Sequence, residues 1–237
     1  MRGFPQNDGI EVEVLGVKLC CVLPAFNEEK TVAEVAGEAG KYVDEVIVVD
    51  DGSRDSTARV AANSGVVVVQ HRRNMGKGAA LRSGFKEAVE RRADIVITLD
   101  ADGEHNPKDI PKLVDLVQSG KVDIAVGSRL QNGAEKGSFL RRLSRAITTL
   151  VLRMLFDVHL SDTQSGFRCL SRKAIETLHF ESDSFVAESE ILIDAVRKDL
   201  KVGEVPVAYV HVGGGFPVLK ETALFISLCL RRIIQPQ

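Results

Sequence analysis

Two carboxylates one residue apart follow an apolar run near the middle of the chain. The run is Ile95 to Leu99, the carboxylates are Asp100 and Asp102, and Glu104 lies two positions further on. An apolar run of this length is typical of a buried parallel strand, and open α/β sheets bind ligands at the carboxyl ends of their strands. Clustered acidic oxygens suit a hard divalent cation, Mg²⁺ or Mn²⁺, which usually keeps substrate phosphates as further ligands. The sequence therefore predicts chemistry on a diphosphate.

Polar side chains also follow two earlier predicted strands. Pro24 to Glu28 follow the first strand, and Asp50 to Ser53 follow the second. Turns and caps account well for Gly52 and Ser53. They do not explain why acidic side chains gather at successive strand ends, where like charges repel unless a cation or a donor is present. We therefore expect these segments to form one site.

Familiar phosphate-binding patterns do not fit the chain. The glycine-rich dinucleotide fingerprint is absent after the first strand, and Gly76-Lys77-Gly78 lacks the spaced first glycine and the Ser or Thr of a P-loop. Gly103 stands at the wrong position for an EF-hand. A phosphate-binding α/β protein of another design remains.

The first half of the chain alternates predicted strands and helices. Strands are expected at 17–23, 45–49, 66–69, 95–99 and 124–127, and helices at 31–42, 56–63, 78–92 and 110–118. This alternation predicts an α/β fold with a mostly parallel sheet and helices on both faces. The second half carries predicted helices at 139–156, 171–178, 185–198 and 218–234, a strand at 202–207, a polar turn at 161–166 and a flexible glycine loop at 213–215. We expect one domain over 17–237 after an N-terminal extension, 1–16.

Composition narrows the class of protein. The chain has 237 residues, of which 44% are hydrophobic and 27% charged, which predicts a soluble globular protein. A net charge of −2 offers no field for nucleic acid, so no nucleic-acid partner is expected. The four cysteines lack metal-binding spacing and are interpreted as buried thiols of a cytoplasmic protein. No apolar run reaches the length of a membrane span, and residues 1–16 lack a signal-peptide core.

The predicted helix 139–156 is amphipathic with a basic start. Apolar residues recur at spacings of three and four, and Arg141, Arg142 and Arg145 lie near its beginning. A stripe of this kind is compatible with core packing, with a dimer seam or with a membrane surface. The arginines could equally line a solvated face.

Six motifs, in this order and spacing, resemble family 2 glycosyltransferases of the GT-A fold. They are Pro24 with Asn27-Glu28, Asp50 to Ser53, Gly76 to Gly78, Asp100 to Asp102, Gly127 to Arg129, and Ser165 to Arg168. The resemblance spans about residues 17–210. More narrowly, the chain is similar to the polyprenyl-phosphate branch, to which dolichyl-phosphate mannose synthase belongs.

This resemblance implies roles by position. Asp100 and Asp102 would hold the metal and the donor diphosphate, with Glu104 as a third ligand or beside the ligands. The nucleotide-sugar would be bound by Pro24, Phe26, Glu28, Asp51, Lys77, Asp100, Ala101 and Asp102, with Asp51 recognising the base. Arg129, Arg141 and Arg142 would face the acceptor phosphate, and Asp102 and Arg129 would be the catalytic pair. His105 is interpreted as a turn residue beside the metal.

The implied reaction is metal-dependent, inverting transfer of a sugar from a GDP- or UDP-linked donor to a polyprenyl phosphate. Helix 139–156 would lay the protein on the cytoplasmic face of a membrane, alone, as a homodimer or with an anchoring partner. Residues 209–217 lack the Arg and the Ser-Lys pair usual in the mannose group, so the donor sugar stays open. One alternative is a soluble saccharide or small-molecule acceptor, which would need Asp162 or Glu188 as a base. Another is a non-catalytic, receiver-like module that binds metal through Asp50 and Asp51.

Overall fold

The computed structural model describes residues 16–129, 139–210 and 218–234. Its strands are β1 (Leu19–Ala25), β2 (Glu45–Asp50), β3 (Val67–Gln70), β4 (Ile95–Thr98), β5 (Ile124–Ser128), β6 (Arg168–Ser171) and β7 (Val202–Pro206). Its helices are α1 (Val32–Ala39), α2 (Thr57–Asn63), α3 (Lys77–Glu90), α4 (Ile110–Gln118), α5 (Phe139–Phe156), α6 (Arg172–Thr177), α7 (Ala187–Arg197) and α8 (Val218–Ile234), with a 3₁₀ turn at Pro107–Asp109. The predicted extension (apart from Gly16) and the glycine loop at 213–215 lie outside the described residues.

The strands form one mixed, mostly parallel sheet in the order β3-β2-β1-β4-β6-β5-β7. β6 alone runs against its neighbours β4 and β5, while β7 returns parallel to β5. Apolar β-strands of this kind, covered on both faces, form the interior of α/β proteins. The predicted fold class is confirmed.

Strand β6 is the element that sequence reasoning missed. It is only four residues long and begins with Arg168, which is 2% exposed. Its guanidinium donates to the backbone carbonyls of Ser165, Glu188 and Thr163 at 2.9, 2.8 and 3.2 Å. A charged first residue in so short a strand hides the apolar pattern that would predict it.

Strand β1 runs two residues further than predicted, through Pro24. Proline usually ends a central strand because it lacks an N–H group. Here β4 pairs only with Leu19 to Val22, and β2 alone continues beside Pro24. The missing N–H falls where β4 has already ended, so the strand carries on to Ala25.

The core consists of two layers, one on each face of the sheet. Helices α3, α6 and α7 pack with Cys20 and Val22 on one face, whereas α1 and α4 pack with Cys21 and Leu23 on the other. All four cysteines are free and buried, as predicted. No helix in the described ranges is both long enough and apolar enough to cross a bilayer.

Candidate active site

Several strand ends meet at one edge of the sheet and open into a cleft of about 710 Å³. β1, β4 and β5 end at this edge, and β6 begins there because it is antiparallel, with Thr98 opposite Arg168. The lining joins charged and aromatic side chains from both halves of the chain, including Glu28, Lys77, Asp100, Asp102, Glu104, Arg129, Gln164, Phe185, Glu188 and Tyr209. The sheet thus brings together segments that the sequence separates by up to about 180 residues.

Lys77, the first residue of α3, joins two carboxylates in the cleft. Its Nζ lies 2.7 Å from Oδ1 of Asp100 and 2.5 Å from Oε1 of Glu188. Burial alone would lower the pKa of Lys77, but the two carboxylates raise it above its ordinary value. Burial also opposes ionisation of Asp100, yet the ammonium outweighs it and holds the pKa of Asp100 below its usual range. Lys77 and Asp100 are therefore both charged at neutral pH.

Gly166 lies directly against the ion pair of Lys77 and Asp100. A Cβ atom at Gly166 would lie 2.6 Å from Oδ2 of Asp100 and 2.8 Å from Nζ of Lys77. The carbonyl of Gly166 accepts a hydrogen bond from Oγ1 of Thr98 at 2.7 Å, which fixes the turn against β4. The Ser165-Gly166 motif therefore needs a glycine for close approach.

Asp102 lies two residues from Asp100 and has a perturbed pKa. Burial, followed by the charge of Asp100, raises the pKa of Asp102 to about 7, and Glu104 adds to the effect. The backbone amide of Glu104 donates to Oδ1 of Asp102 at 2.9 Å. Acidic groups crowded in this way favour the approach of a cation.

The predicted metal ligands do not enclose an ion by themselves. Within the part of the chain that the structure describes, no group of three His, Cys, Asp or Glu side chains converges as a metal site. Asp100 is paired with Lys77, and Oε2 of Glu104 accepts the hydroxyl of Tyr209 at 2.7 Å. An ion on Asp102 would need further oxygens, which Mg²⁺ commonly takes from substrate phosphates. These carboxylate oxygens therefore fit a metal ion that binds together with a diphosphate.

Tyr209 connects the acidic cluster to Arg129. Besides its bond to Glu104, the Tyr209 ring lies under the guanidinium of Arg129, 5.3 Å from centroid to Cζ. Sequence reasoning noted Tyr209 only as part of a departure from the mannose group. No local pattern could have found it, because its partner Glu104 is 105 positions away.

Arg129 follows β5 and forms a two-pronged ion pair with Asp162. Nε and Nη2 of Arg129 lie 2.6 and 2.8 Å from the two oxygens of Asp162. Burial would raise the pKa of Asp162, but Arg129 holds it below its ordinary value. Because the Asp162 carboxylate is fully buried and paired, it is unsuited to act as a general base.

His105, interpreted from sequence as a turn residue, forms a β-bridge with Tyr209, and the residue is only 3% exposed. Its ring lies between Phe167 and Tyr209, with centroids 5.4 and 5.5 Å away. Burial, aided by the charge of Arg129, lowers the pKa of His105 to about 4, so the ring is neutral. Its Nδ1 has no hydrogen-bond partner among the described residues. The imidazole packs beneath the cleft.

Asp51 organises a neighbouring loop. Its carboxylate accepts from Nδ1 of His71 at 2.7 Å and from the backbone amides of Met75 and Gly76 at 2.9 and 2.7 Å. The side chain is 4% exposed. Asp51 thereby sets the segment that leads into Lys77. Its recognition of a nucleotide base stays a prediction.

The remaining residues predicted to bind the nucleotide-sugar fall into two groups. Glu28 lines the cleft, and its pKa is raised by burial and then by neighbouring acidic charges, against a hydrogen bond from Thr31. Pro24, Phe26 and Ala101 are not among the lining residues: Pro24 lies within β1, Phe26 is 41% exposed and Ala101 is buried. Their roles in nucleotide binding stay predictions.

Helices α5 and α8 close one side of the cleft. Ser144, Arg145 and Thr148 of α5 line it together with Glu221, Thr222 and Phe225 of α8. Two residues of α5 were predicted to face the acceptor phosphate. Arg142 is exposed and does not line the cleft, and the side chain of Arg141 is not among those the structure describes. The contribution of α8 was missed, because its amphipathic pattern alone does not indicate which residues reach a site.

An apolar stripe runs along the outer face of α5. It consists of exposed side chains at spacings of three and four: Leu140, Leu143, Ile147, Leu150 and Met154, which are 41–73% exposed. The same helix therefore lines the cleft with polar residues and presents apolar residues to solvent.

The strand order, the single reversed strand and the cleft at the carboxyl edge define a glycosyltransferase of the GT-A, Rossmann-like class. The family model of glycosyl transferase family 2 matches residues 20–178, and the chain belongs to that family. It is therefore an enzyme, and the receiver-like alternative is wrong.

Relatives of known name and structure give the comparison more detail. A UDP-N-acetylglucosamine–dolichyl-phosphate N-acetylglucosaminyltransferase of Methanococcus voltae is 31% identical over 80% of this chain and 84% of its own. A dolichyl-phosphate beta-glucosyltransferase of Trichomonas vaginalis is 31% identical over 84% of this chain and 67% of its own. The structure of glucosyl-3-phosphoglycerate synthase from Mycobacterium tuberculosis with Mn²⁺, UDP-glucose and phosphoglyceric acid has a TM-score of 0.75 at 26% identity, covering 94% of this chain and 82% of that one.

Proposed function

We propose that this glycosyltransferase moves a sugar from a nucleotide diphosphate to a polyprenyl phosphate at a membrane surface. The observation that carries the proposal is that α5 has a polar face on the cleft and an exposed apolar face. Ser144, Arg145 and Thr148 line the cleft, while a stripe including Leu150 and Met154 faces solvent on the same helix. A lipid phosphate requires this combination, because its headgroup is charged and its chain must stay in an apolar environment.

The donor would bind at the carboxyl ends of β1 and β4. Asp102, with Asp100 and Glu104 beside it, would hold Mg²⁺ or Mn²⁺, and Lys77 would lie next to the diphosphate. When bound, the ion would neutralise charge on the departing diphosphate as the sugar bond breaks. The ion pairs of Lys77 with Asp100 and Glu188 fix these groups before the substrate arrives, which reduces reorganisation during the reaction.

Arg129 would orient the acceptor phosphate. Asp162 holds one edge of its guanidinium and the Tyr209 ring supports its face, so the group is fixed in position. Guanidinium suits phosphate because it can donate two parallel hydrogen bonds. A phosphate oxygen is already ionised near neutral pH, so direct attack on the sugar carbon needs no base and inverts that carbon. This agrees with the pairing of both candidate bases, Asp162 with Arg129 and Glu188 with Lys77.

The named relatives support a phosphate-bearing acceptor. Two of them are dolichyl-phosphate enzymes, and the solved synthase was crystallised with phosphoglyceric acid. A soluble phosphorylated acceptor is therefore the second candidate, favoured by the likeness to that synthase. Glucose and N-acetylglucosamine both occur among the relatives' donors, so the donor must be found by experiment.

The test is a donor and acceptor panel. Purified protein with Mn²⁺ is incubated with each common UDP- and GDP-sugar and with polyprenyl phosphate or 3-phosphoglycerate, and products are identified by mass spectrometry. We expect sugar-phospholipid from one donor, and none from the Asp102→Asn variant. Sugar transfer to phosphoglycerate alone would replace the lipid acceptor with the soluble one.

A further inference from the structure

A second cavity lies at the far end of α5, away from the cleft. It has a volume of about 440 Å³ and is formed where α5, α7 and α8 meet. Its lining combines three arginines with apolar side chains: Arg153, Met154, Leu155, Phe156, Asp157, Ile193, Arg197 and Arg232. None of these residues lines the cleft. Counted along α5, Arg153 is about 12 Å from Arg145, at 1.5 Å per residue.

The arginines of this cavity are only partly neutralised. Arg232 pairs with Oε1 of Glu190 at 2.5 Å. Arg197 donates through Nη2 to the backbone carbonyl of Arg232, and its guanidinium lies 5.8 Å from the centroid of the Phe156 ring. Nη1 of Arg197 is buried and has no hydrogen-bond partner among the described residues. A buried guanidinium N–H without an acceptor is costly, so this atom indicates a missing acceptor.

Little negative charge opposes the arginines here. Asp157 is the acidic residue in the lining; its side chain is 84% exposed and lies 2.6 Å from Nε2 of His159. The structure gives Arg153, which is exposed, no ion pair among the described residues. The cavity is thus locally positive although the whole chain carries a net charge of −2. Its charge is complementary to a phosphate-type anion.

The rim of the cavity is apolar and continues the stripe of α5. Met154 and Leu155 are 73% and 52% exposed and line the cavity. Leu150 on α5 and Leu230 on α8 are each 55% exposed. A soluble anion would gain nothing from such a rim, whereas the acyl chains of a lipid would cover it.

We propose that this cavity binds the phosphate headgroup of an anionic membrane phospholipid, separate from the acceptor. Arg153 and Arg197 hold the phosphate, while Met154 and Leu155 lie against the acyl chains. The lipid would fix the end of α5 on the bilayer and so present the cleft to the membrane. The inference rests on the proposed function, in that it takes the stripe of α5 to face a membrane.

The test measures binding to vesicles. Vesicles of phosphatidylcholine alone are compared with vesicles of equal parts phosphatidylcholine and phosphatidylglycerol, by flotation. We expect preference for the anionic vesicles, and a partition coefficient about fivefold lower in Arg153→Gln, since a basic residue near an anionic surface contributes ~1 kcal/mol. Arg153 is exposed, so the variant should fold. Arg197→Gln tests the second arginine, whose Nη1 atom is buried. The matched control is Arg231→Gln, an exposed arginine on α8 outside the lining.

Three outcomes would overturn the inference. One is equal binding to both vesicle types. Another is the same loss in Arg231→Gln as in Arg153→Gln, which would indicate diffuse attraction without a defined site. The third is a rise in Tm with inorganic phosphate, absent in Arg153→Gln, without vesicle preference; the cavity would then take a free anion.

Sugar transfer to detergent-solubilised polyprenyl phosphate is measured in parallel, and we expect Arg153→Gln to retain it. Equal binding of the wild-type protein to both vesicle types, with intact transfer, would refute this inference alone. Preference of the wild-type protein for anionic vesicles, without sugar transfer to polyprenyl phosphate, would refute the proposed acceptor alone.

Discussion

The cleft and the α5 stripe depart from ordinary burial in opposite directions. In the cleft, charged groups are largely buried: Arg129 is held by Asp162, which is fully buried, and Lys77 lies between two carboxylates. On α5, apolar groups are exposed, with Leu140 at 58% and Met154 at 73%. Buried charges are costly unless paired, and contiguous exposed apolar patches are uncommon on monomers.

The two regions depend on their surroundings in different ways. Lys77 and Arg129 already have carboxylate partners within the protein, so this part of the site is fixed before a ligand binds. The stripe gains its stabilisation only when something apolar covers it. Substitutions in the cleft should therefore change catalysis or folding, whereas substitutions in the stripe should change only association.

Replacing Asp102 by alanine should abolish turnover while leaving folding intact. Loss of one electrostatic anchor of a transition state typically lowers kcat by about 10²–10³, and loss of the ion should lower it further. The measurement is the steady-state rate with the donor found in the panel, alongside the thermal midpoint. Asp115→Asn, an exposed carboxylate on α4, is the control. Near-normal activity in Asp102→Ala would remove the central residue of the proposed mechanism.

Replacing Asp162 by asparagine should destabilise the protein by about 3 kcal/mol, because it leaves the guanidinium of Arg129, whose side chain is 16% exposed, without its fully buried counter-ion. The free energy of unfolding is measured by urea titration at neutral pH. A loss below about 0.5 kcal/mol would mean that water or other groups satisfy Arg129, and that the cleft is less fixed than the geometry indicates.

The same pair gives a pH dependence of defined sign. Because the pKa of Asp162 is lower in the folded protein than in the unfolded chain, its contribution is fully present above the unfolded value of about 3.9. The contribution is lost as pH falls through the folded value. The stability difference between wild type and Asp162→Asn should therefore shrink on acidification below about pH 4. A constant difference over that range would argue against the ion pair as its source.

Replacing Gly166 by alanine should lower kcat/KM by about 10²-fold, since small displacements of catalytic groups have effects of that size. The new methyl group would meet Asp100 and Lys77 at 2.6 and 2.8 Å. Gly37→Ala is the matched control: a methyl group there meets nothing within 4 Å, and the residue lies inside α1. It should keep activity and gain about 0.5–1 kcal/mol of stability. Equal activities of the two variants would show that the pair can shift freely.

Local patterns sufficed for much of the site. The carboxylates of Asp100 and Asp102 follow an apolar run directly, so the strand and the predicted metal ligands are adjacent in the sequence. The α5 prediction matched the helix at both ends, because its apolar spacing is regular over 18 residues. The same holds for the parallel sheet, whose strands alternate with helices along the chain.

Long-range pairings could not be predicted. Glu104 and Tyr209 meet across 105 positions, and one of the carbonyls that bind the buried Arg168 belongs to Glu188, 20 positions away. His105 illustrates the same limit: its neighbours in sequence are polar, but its ring packs against Phe167 and Tyr209. A turn-like sequence therefore concealed a buried side chain.

The smallest effect is expected on the stripe itself. Leu150 is 55% exposed and Leu152, two residues on, is fully buried. Leu150→Gln should change the free energy of unfolding by less than about 0.5 kcal/mol, whereas Leu152→Ala should lower it by about 2–5 kcal/mol. Leu150→Gln should nevertheless weaken vesicle binding, because it removes apolar area from the face that meets the lipid. If Leu150→Gln unfolds the protein as readily as Leu152→Ala, the stripe is part of the core, and the contrast between a fixed cleft and an uncovered helix face fails. If it leaves both stability and vesicle binding unchanged, the stripe faces something other than a membrane.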